Sequence, residues 1–139
     1  GIQALANCLT SCSKLISLHL AQSAFYPDAL DGLAGILKKC SELTDLDLHG
    51  NDLTSDGALV VMSCIGSNCQ GLTKLDLGHA MLGDVGAAAV ADELGRCTAL
   101  THLALVNNSV TSDGVKHLAA ALPSHTSLKE LHLGLNRIW

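Results

Sequence analysis

Aromatic residues are nearly absent from this sequence, which has one Phe, one Tyr and one Trp, a 2% share. Hydrophobic residues still make up 48% of the 139 residues, so the chain has enough apolar material for one continuous core. Leu, Val, Ile and Ala must fill that core. Such a composition suits a regular stack, whose equivalent layers take side chains of similar size.

Clustered basic charge, long apolar runs and proline are also scarce. The chain has 8 basic against 13 acidic residues, a formal charge of -5, and the bases are spread along it. We expect no nucleic-acid partner, because binding phosphates needs a clustered basic face. We also expect no membrane span, since no apolar stretch approaches the roughly 20 residues that one requires. The two prolines do not mark a linker, which predicts a single domain over residues 1–139.

Leucines recur at a fixed period. Leu15, Leu43, Leu72, Leu100 and Leu128 follow one another at intervals of 28, 29, 28 and 28 residues, and each opens the pattern L-x-x-L-x-L-x-x-N-x-L with small lapses. This period predicts a solenoid of about 4–5 repeats of 28–29 residues, each with one strand and one helix. We number the repeats 1 to 5 from these leucines.

Each repeat begins with a short strand that is apolar on one side. In repeat 2, Leu46 and Leu48 lie on one face, with Asp45 and Asp47 on the other. Asn51 follows, where its amide is expected to bond backbone groups of the turn. The single 29-residue interval spans the helical half of repeat 2, so we expect the strand register to be unaffected.

The second half of each repeat has the spacing of an amphipathic helix. Apolar residues stand four and eight positions after a glycine, as Val90 and Leu94 do after Gly86. Small residues beside them are expected to let each helix pack closely against the strands: Ala6, Ala34, Ala91 and Ala119. Strand, helix and parallel strand form a right-handed crossover. Because helices are wider than strands, the parallel sheet should be concave and the helices convex.

The motif stands at residues 15–25, 43–53, 72–82, 100–110 and 128–138. It resembles the ribonuclease-inhibitor type of leucine-rich repeat, which is also found in NOD-like receptors and in the GTPase-activating protein for Ran. The resemblance implies an α/β fold, a right-handed horseshoe arc. Ser23 and Ala80 depart from the expected Asn. Since Ala80 cannot bond the turn, we expect the row of polar side chains to be interrupted there.

The six cysteines are interpreted as packing residues in this register. Cys12, Cys40, Cys69 and Cys97 each precede a repeat-opening leucine by three residues, and His125 takes the fifth place. We therefore expect an inward-facing column of small, buried thiols. Free buried cysteines favour a reducing, cytoplasmic location over a disulfide framework.

The chain starts inside a helical half at Gly1 and stops just after a strand half at Trp139. Terminal repeats of solenoids normally carry a polar cap. We expect an excerpt of a longer array, lacking both caps.

The outward strand positions form rows across the predicted sheet. The first row is Ser17, Asp45, Lys74, His102 and Glu130, and the second is His19, Asp47, Asp76, Ala104 and His132. Two further rows after the strands contain His49 and His79. We predict that these residues contact a partner: Asp45, Asp47, His49, Lys74, Asp76, His79, His102, Glu130 and His132.

Four interpretations of this face compete. It is either a solvated surface, a recognition surface for a partner with basic or hydrogen-bonding groups, a metal site at His19, Asp47, Asp76 and His49, or a catalytic Ser17, His19 and Asp47 set. Solenoid faces diverge rather than enclose an ion, so we assign no metal. No glycine-rich turn offers an oxyanion hole beside Ser17, and an open sheet does not exclude water, so we assign no catalytic residue.

The chain is thus predicted to be a non-enzymatic protein-interaction module without a cofactor, which binds through its concave face and the edge loops. Extended, rigid solenoid faces are well suited to protein partners. The resemblance implies two alternatives, the regulatory domain of a GTPase-activating protein or of a NOD-like innate immune sensor. The partner and the oligomeric state are not specified by the sequence. Histidines on the face imply binding that depends on pH between about 5 and 7.

Overall fold

Strands and helices alternate along the chain in a computed structural model, which describes residues 1–9, 11–25 and 27–139. Within those residues there are five helices, α1 (Ile2–Leu9), α2 (Leu30–Leu37), α3 (Thr54–Asn68), α4 (Gly83–Leu94) and α5 (Ser112–Ala121). The five strands are β1 (Ser17–His19), β2 (Asp45–Asp47), β3 (Lys74–Asp76), β4 (His102–Ala104) and β5 (Glu130–His132). Two 3₁₀ turns, Pro27–Ala29 and Leu122–Ser124, flank α2 and α5.

The strands form one parallel sheet in the order β1-β2-β3-β4-β5. Equivalent motif positions pair throughout, so that Leu46 lies opposite Leu18 on one side and Leu75 on the other. The longer interval in repeat 2 is absorbed by α3, which at 15 residues is longer than α2, α4 or α5. The predicted α/β solenoid and its strand register are confirmed.

The core lies between the sheet and the helices. Leucines of the motif in the three middle repeats are almost fully buried there: Leu43, Leu46, Leu48, Leu72, Leu75, Leu77, Leu100, Leu103 and Leu105. Alternation along each strand directs these side chains inward and leaves the residues between them at the surface. Burial of each leucine contributes roughly 1.5–3 kcal/mol.

Asparagines of the motif hold the turn of the preceding repeat. Asn51 Oδ1 accepts hydrogen bonds from the Ser23 and Phe25 N–H groups at 3.0 and 3.2 Å, and its Nδ2 donates to the Leu20 and Leu48 carbonyls. Asn108 and Asn136 make the equivalent bonds. Buried backbone groups are satisfied in this way. The predicted interruption falls at Ala80, which is buried and has no side-chain acceptor.

The column of thiols is confirmed for Cys40, Cys69 and Cys97, which are buried. Burial raises the pKa of the Cys69 and Cys97 thiols to about 11, which keeps them protonated and unreactive. His125 is buried in the fifth place and bonds the Cys97 carbonyl at 2.8 Å. The prediction is wrong for Cys12, which is exposed. Repeat 1 is the outermost layer, so β1 pairs with β2 alone among the described strands.

The close packing predicted for four alanines shows the same edge effect. Ala6, Ala34 and Ala91 are buried, whereas Ala119 is exposed and that prediction is wrong. Ala119 belongs to α5, which packs against α4 but is the last helix of the described residues. No helix within those residues is both long and apolar enough to cross a membrane.

Candidate functional site

The exposed side of the sheet carries the predicted rows in the predicted order. Ser17, Asp45, Lys74, His102 and Glu130 are successive partners across the five strands. His19, Asp47, Asp76, Ala104 and His132 form the second row two residues further along. We call these rows, with His49 and His79 beyond them, the strand face.

A shallow depression of about 230 Å³ lies at the centre of the strand face. Its polar lining includes Asp45, Asp47, Lys74, Asp76, His102 and His132, six of the nine predicted contact residues. Leu46, Leu75 and Leu103 lie beneath it, but they are at most 2% exposed, because their side chains point into the core. The depression therefore offers carboxylates, imidazoles and one ammonium group to a partner.

At one side of the strand face, His19 joins two neighbours. Its Nε2 lies 3.0 Å from Ser17 Oγ and 3.2 Å from Asp45 Oδ1. A serine relay of the hydrolase type needs the carboxylate on one ring nitrogen and the serine on the other. Here both neighbours share Nε2, and Asp47 is not one of them, so the arrangement is not that of a catalytic triad. The predicted contact set does not include His19, although its place in the second row is the signal that indicates it.

At the other side, one carboxylate binds two histidines. Glu130 lies 3.2 Å from His102 Nε2 and 3.3 Å from His132 Nε2. The hydrogen bond with His132 and then the charge of His102 hold the pKa of the Glu130 carboxyl below its ordinary value. Glu130 thus stands beside the depression and orients two histidines that line it.

The two central aspartates are fixed by the backbone. Asp47 Oδ1 accepts a hydrogen bond from the His49 N–H at 2.9 Å, and Asp76 Oδ1 accepts one from the Gly78 N–H at 2.8 Å. In both cases the carboxylate reaches two residues along its own chain, the pattern of an Asx turn. The negative charges in the middle of the strand face are therefore held in place by the turns that leave β2 and β3.

His49 and His79 lie together beyond the ends of β2 and β3. Their ring centroids are 4.8 Å apart, and His49 Nδ1 is 3.8 Å from Asp76 Oδ1. His79 Nδ1 is 2.8 Å from the Asn107 amide nitrogen. These two predicted contact residues do not line the depression, but they extend the same polar surface along its edge.

The metal interpretation finds no support in this geometry. Across residues 1–9, 11–25 and 27–139, no group of three or more His, Cys, Asp or Glu side chains is placed to hold an ion. Of the four residues considered as ligands, His49 and Asp76 lie 3.8 Å apart. The other two do not join them, because His19 turns to Asp45 and Asp47 accepts from a backbone N–H group.

The comparison with protein families follows the repeats. Residues 39–62, 68–91, 96–119 and 124–138 match the family model described as Leucine Rich repeat, and these segments together cover more than half of the chain. The chain belongs to the leucine-rich repeat family.

Relatives of this leucine-rich repeat chain include NACHT, LRR and PYD domains-containing protein 14 of Mus musculus. It is 32% identical over an alignment of 139 positions that covers 98% of this chain and 14% of that protein. Protein NLRC5 of Ictalurus punctatus is 32% identical over 126 residues, 91% of this chain and 7% of that protein. The repeats are of the type found in NOD-like receptors. The chain spans only a small part of the relatives' length, so it corresponds to a portion of their repeats.

A solved structure with the same fold is that described as leiomodin-1 actin-binding site 2. It superposes with a TM-score of 0.83 at 16% identity, over 96% of this leucine-rich repeat chain and 79% of that chain. At this identity the likeness establishes the fold alone. The ribonuclease-inhibitor subtype, which was inferred from the repeat length, stays a prediction.

Proposed function

We propose that this leucine-rich repeat chain is a non-enzymatic recognition module that binds a protein partner through the strand face. The observation that carries the proposal is the central depression, where carboxylates, imidazoles and one ammonium group are gathered on a rigid sheet. The NOD-like relatives support a recognition role within a longer protein.

The charge of the strand face indicates what the partner offers. Asp45, Asp47, Asp76 and Glu130 stand against one Lys74 in its rows. We infer a partner segment that presents Lys, Arg or hydrogen-bond donors, because complementary potentials speed association and select among partners. The buried thiols support a reducing, cytoplasmic location for the module.

The test exchanges the central charge. Replacing Asp47→Lys together with Asp76→Lys changes the strand face by four charge units, while both side chains lie outside the core. The matched control is Asp56→Lys with Asp92→Lys, the same change on exposed residues of α3 and α4. The wild-type chain and the two variants are each used as an immobilised bait. We expect the proteins that the wild type captures quantitatively to be captured by the control as well, but not by the variant with Asp47→Lys and Asp76→Lys.

The three baits are compared at equal concentration, after circular dichroism has shown the same fold for each. Equal capture by all three would place the binding surface elsewhere and contradict the proposal. Loss with both variants would mean that total charge, rather than the strand face, governs capture. That result would contradict it as well.

A further inference from the structure

Every repeat contributes one histidine to the strand face. They are spread over four rows, of which only the second has two, so the spacing of the motif does not require them: His19, His49, His79, His102 and His132. The other two histidines serve elsewhere, since His117 is exposed on α5 and His125 is buried beside Cys97. Five of the seven histidines therefore share one surface.

These histidines lie beside the carboxylates of the same surface. His19 is 3.2 Å from Asp45, and both His102 and His132 lie within 3.3 Å of Glu130. At the edge, His49 is 3.8 Å from Asp76. The carboxylate of each pair is thus positioned to be neutralised when the adjacent imidazole takes a proton.

His49 and His79 form a second kind of contact. Their rings are 4.8 Å apart and tilted by 57°, so two protonated rings would repel each other directly. Asp76 is the carboxylate beside His49, and the Asn107 amide is the neighbour of His79. Protonation in this pair therefore changes the local charge and also favours separation of the rings.

The charge of the whole face changes sign over this titration. With neutral histidines, four carboxylates against Lys74 give the two strand rows a formal charge of -3, and the remaining positions in the rows are Ser17 and Ala104. Five protonated histidines bring the strand face to +2. Histidine is the side chain whose charge ordinarily changes between pH 5 and 8.

We propose that proton uptake by these five histidines controls binding at the strand face, so that a cationic partner held at neutral pH is released in mild acid. This rests on the proposed function, since it concerns the same surface. Proton uptake changes the local charge most at the depression, because three of the five histidines line it together with three aspartates. These histidines are His19, His102 and His132.

The experiment uses a decalysine peptide as the cationic probe. Backbone amide shifts of the wild-type chain are followed by NMR while the peptide is added at about pH 7.5 and at about pH 5.5. We expect shifts centred on β2, β3 and β4 at the higher pH, and an affinity lower by about tenfold or more at the lower pH.

Two variants test the cause. His19, His102 and His132 are replaced by Gln together, and His117→Gln serves as the control outside the strand face. We expect the first variant to lose most of the pH dependence and the control to keep all of it. If the triple variant misfolds, His102→Gln with His132→Gln is used, and about half of the pH effect should remain.

The outcomes separate the two proposals. If the peptide does not perturb the strand face at about pH 7.5, a cationic partner at this surface is refuted and the proton control falls with it. If the peptide binds there equally at both pH values, or if the triple variant keeps the full pH response, recognition at the strand face stands and control by the histidines is refuted.

Discussion

Two junctions of the solenoid use equivalent positions but are stabilised differently. The first junction joins repeats 2 and 3, and the second joins repeats 3 and 4. At the second, Asn108 Oδ1 accepts hydrogen bonds from the Ala80 and Leu82 N–H groups at 3.0 and 3.2 Å. At the first, the same place is taken by Ala80, which has no acceptor. The Leu53 N–H donates instead within its own turn, to the Asn51 carbonyl at 2.9 Å.

The backbone of the two turns differs accordingly. Met81, between the two N–H groups that Asn108 holds, has a φ of 58°, and Ala24 and Ser109 have similar values in repeats held by Asn51 and Asn136. Asp52 is the counterpart of Met81 in repeat 2 and does not have a positive φ. Its Oδ1 is buried without a hydrogen-bond partner. A side chain of one repeat thus sets the turn conformation of the repeat before it.

The carboxylate of Asp84 makes further hydrogen bonds across the second junction. Asp84 Oδ1 accepts from the Thr111 and Gly114 N–H groups at 2.7 and 3.1 Å, and Oδ2 accepts from Thr111 Oγ1 at 2.8 Å. It caps α5, the helix of the next repeat. The equivalent residue of repeat 2 is Ser55.

Close helix packing at a glycine is found at both junctions, at Gly86 in the first and at Gly114 in the second. A Cβ on Gly86 of α4 would lie 2.6 Å from Leu82 Cβ and 3.3 Å from Ala58 Cβ of α3, so glycine is what permits this approach. Both junctions share apolar contacts and backbone hydrogen bonds across the sheet. The comparison shows that they differ in whether side chains of the next repeat also bond the turn and the helix start.

The largest expected effect comes from removing Asn108. Asn108→Ala loses four hydrogen bonds, to the N–H groups of Ala80 and Leu82 and the carbonyls of Leu77 and Val106. Because the N–H groups become buried without partners, we expect the free energy of unfolding to fall by about 3 kcal/mol, measured by urea denaturation. Asn107→Ala, at the exposed neighbour, should cost only about 1 kcal/mol, because Ala is strained at its φ of 51°. Equal losses for the two would show that the cross-repeat bonds do not distinguish the junctions.

A smaller effect is expected for Asp84→Asn. At pH 7 we expect a loss of about 1–2 kcal/mol, because the cap of α5 loses its charge. The N–H and hydroxyl of Thr111 hold the pKa of Asp84 in the folded state below the ordinary pKa that it has in the unfolded chain. Its contribution is therefore complete above that ordinary pKa and is lost as the pH falls through the folded pKa. The difference in the free energy of unfolding between Asp84→Asn and the wild type should shrink over the same acid range.

The control for this pH dependence is Asp113→Asn, which removes an exposed carboxylate that pairs with Lys116 at 2.7 Å. Exposed pairs contribute little, so urea denaturation at several pH values should show a loss below about 0.5 kcal/mol. Asp84→Asn and the wild type could instead differ by the same free energy of unfolding at the lowest pH measured. In that case the Asp84 cap would act through its shape rather than its charge.

The period of the leucines was sufficient to predict the sheet, its register and the core. Because equivalent residues occupy equivalent layers, Leu46 and Leu75 had to be neighbours, and Asp45 and Lys74 had to lie side by side on the exposed face. The interruption at Ala80 followed from residue type alone. These predictions depend only on position within the repeat, which the sequence shows directly.

Burial and side-chain pairing could not be predicted in the same way. Cys12 has the same place in the motif as Cys40, but it lies in the outermost layer and is exposed. His19 could reach either Asp45 or Asp47 along the register, and its rotamer decides for Asp45. Asp84 gave no signal, because the serines Ser55 and Ser112 hold its place in neighbouring repeats. Such features depend on neighbours and rotamers, which a repeat pattern does not encode.

The smallest effect, and the sharpest test of the comparison, comes from restoring the missing amide. Ala80→Asn supplies an acceptor for the turn of repeat 2, and we expect a gain of about 1 kcal/mol in urea denaturation if Asp52 adopts the conformation of Met81. Ala80→Leu is the matched control: it has the same branched shape but no acceptor, and overpacking at this buried position should cost about 1–3 kcal/mol. Equal destabilisation by both would mean that space, rather than hydrogen bonding, separates the two junctions.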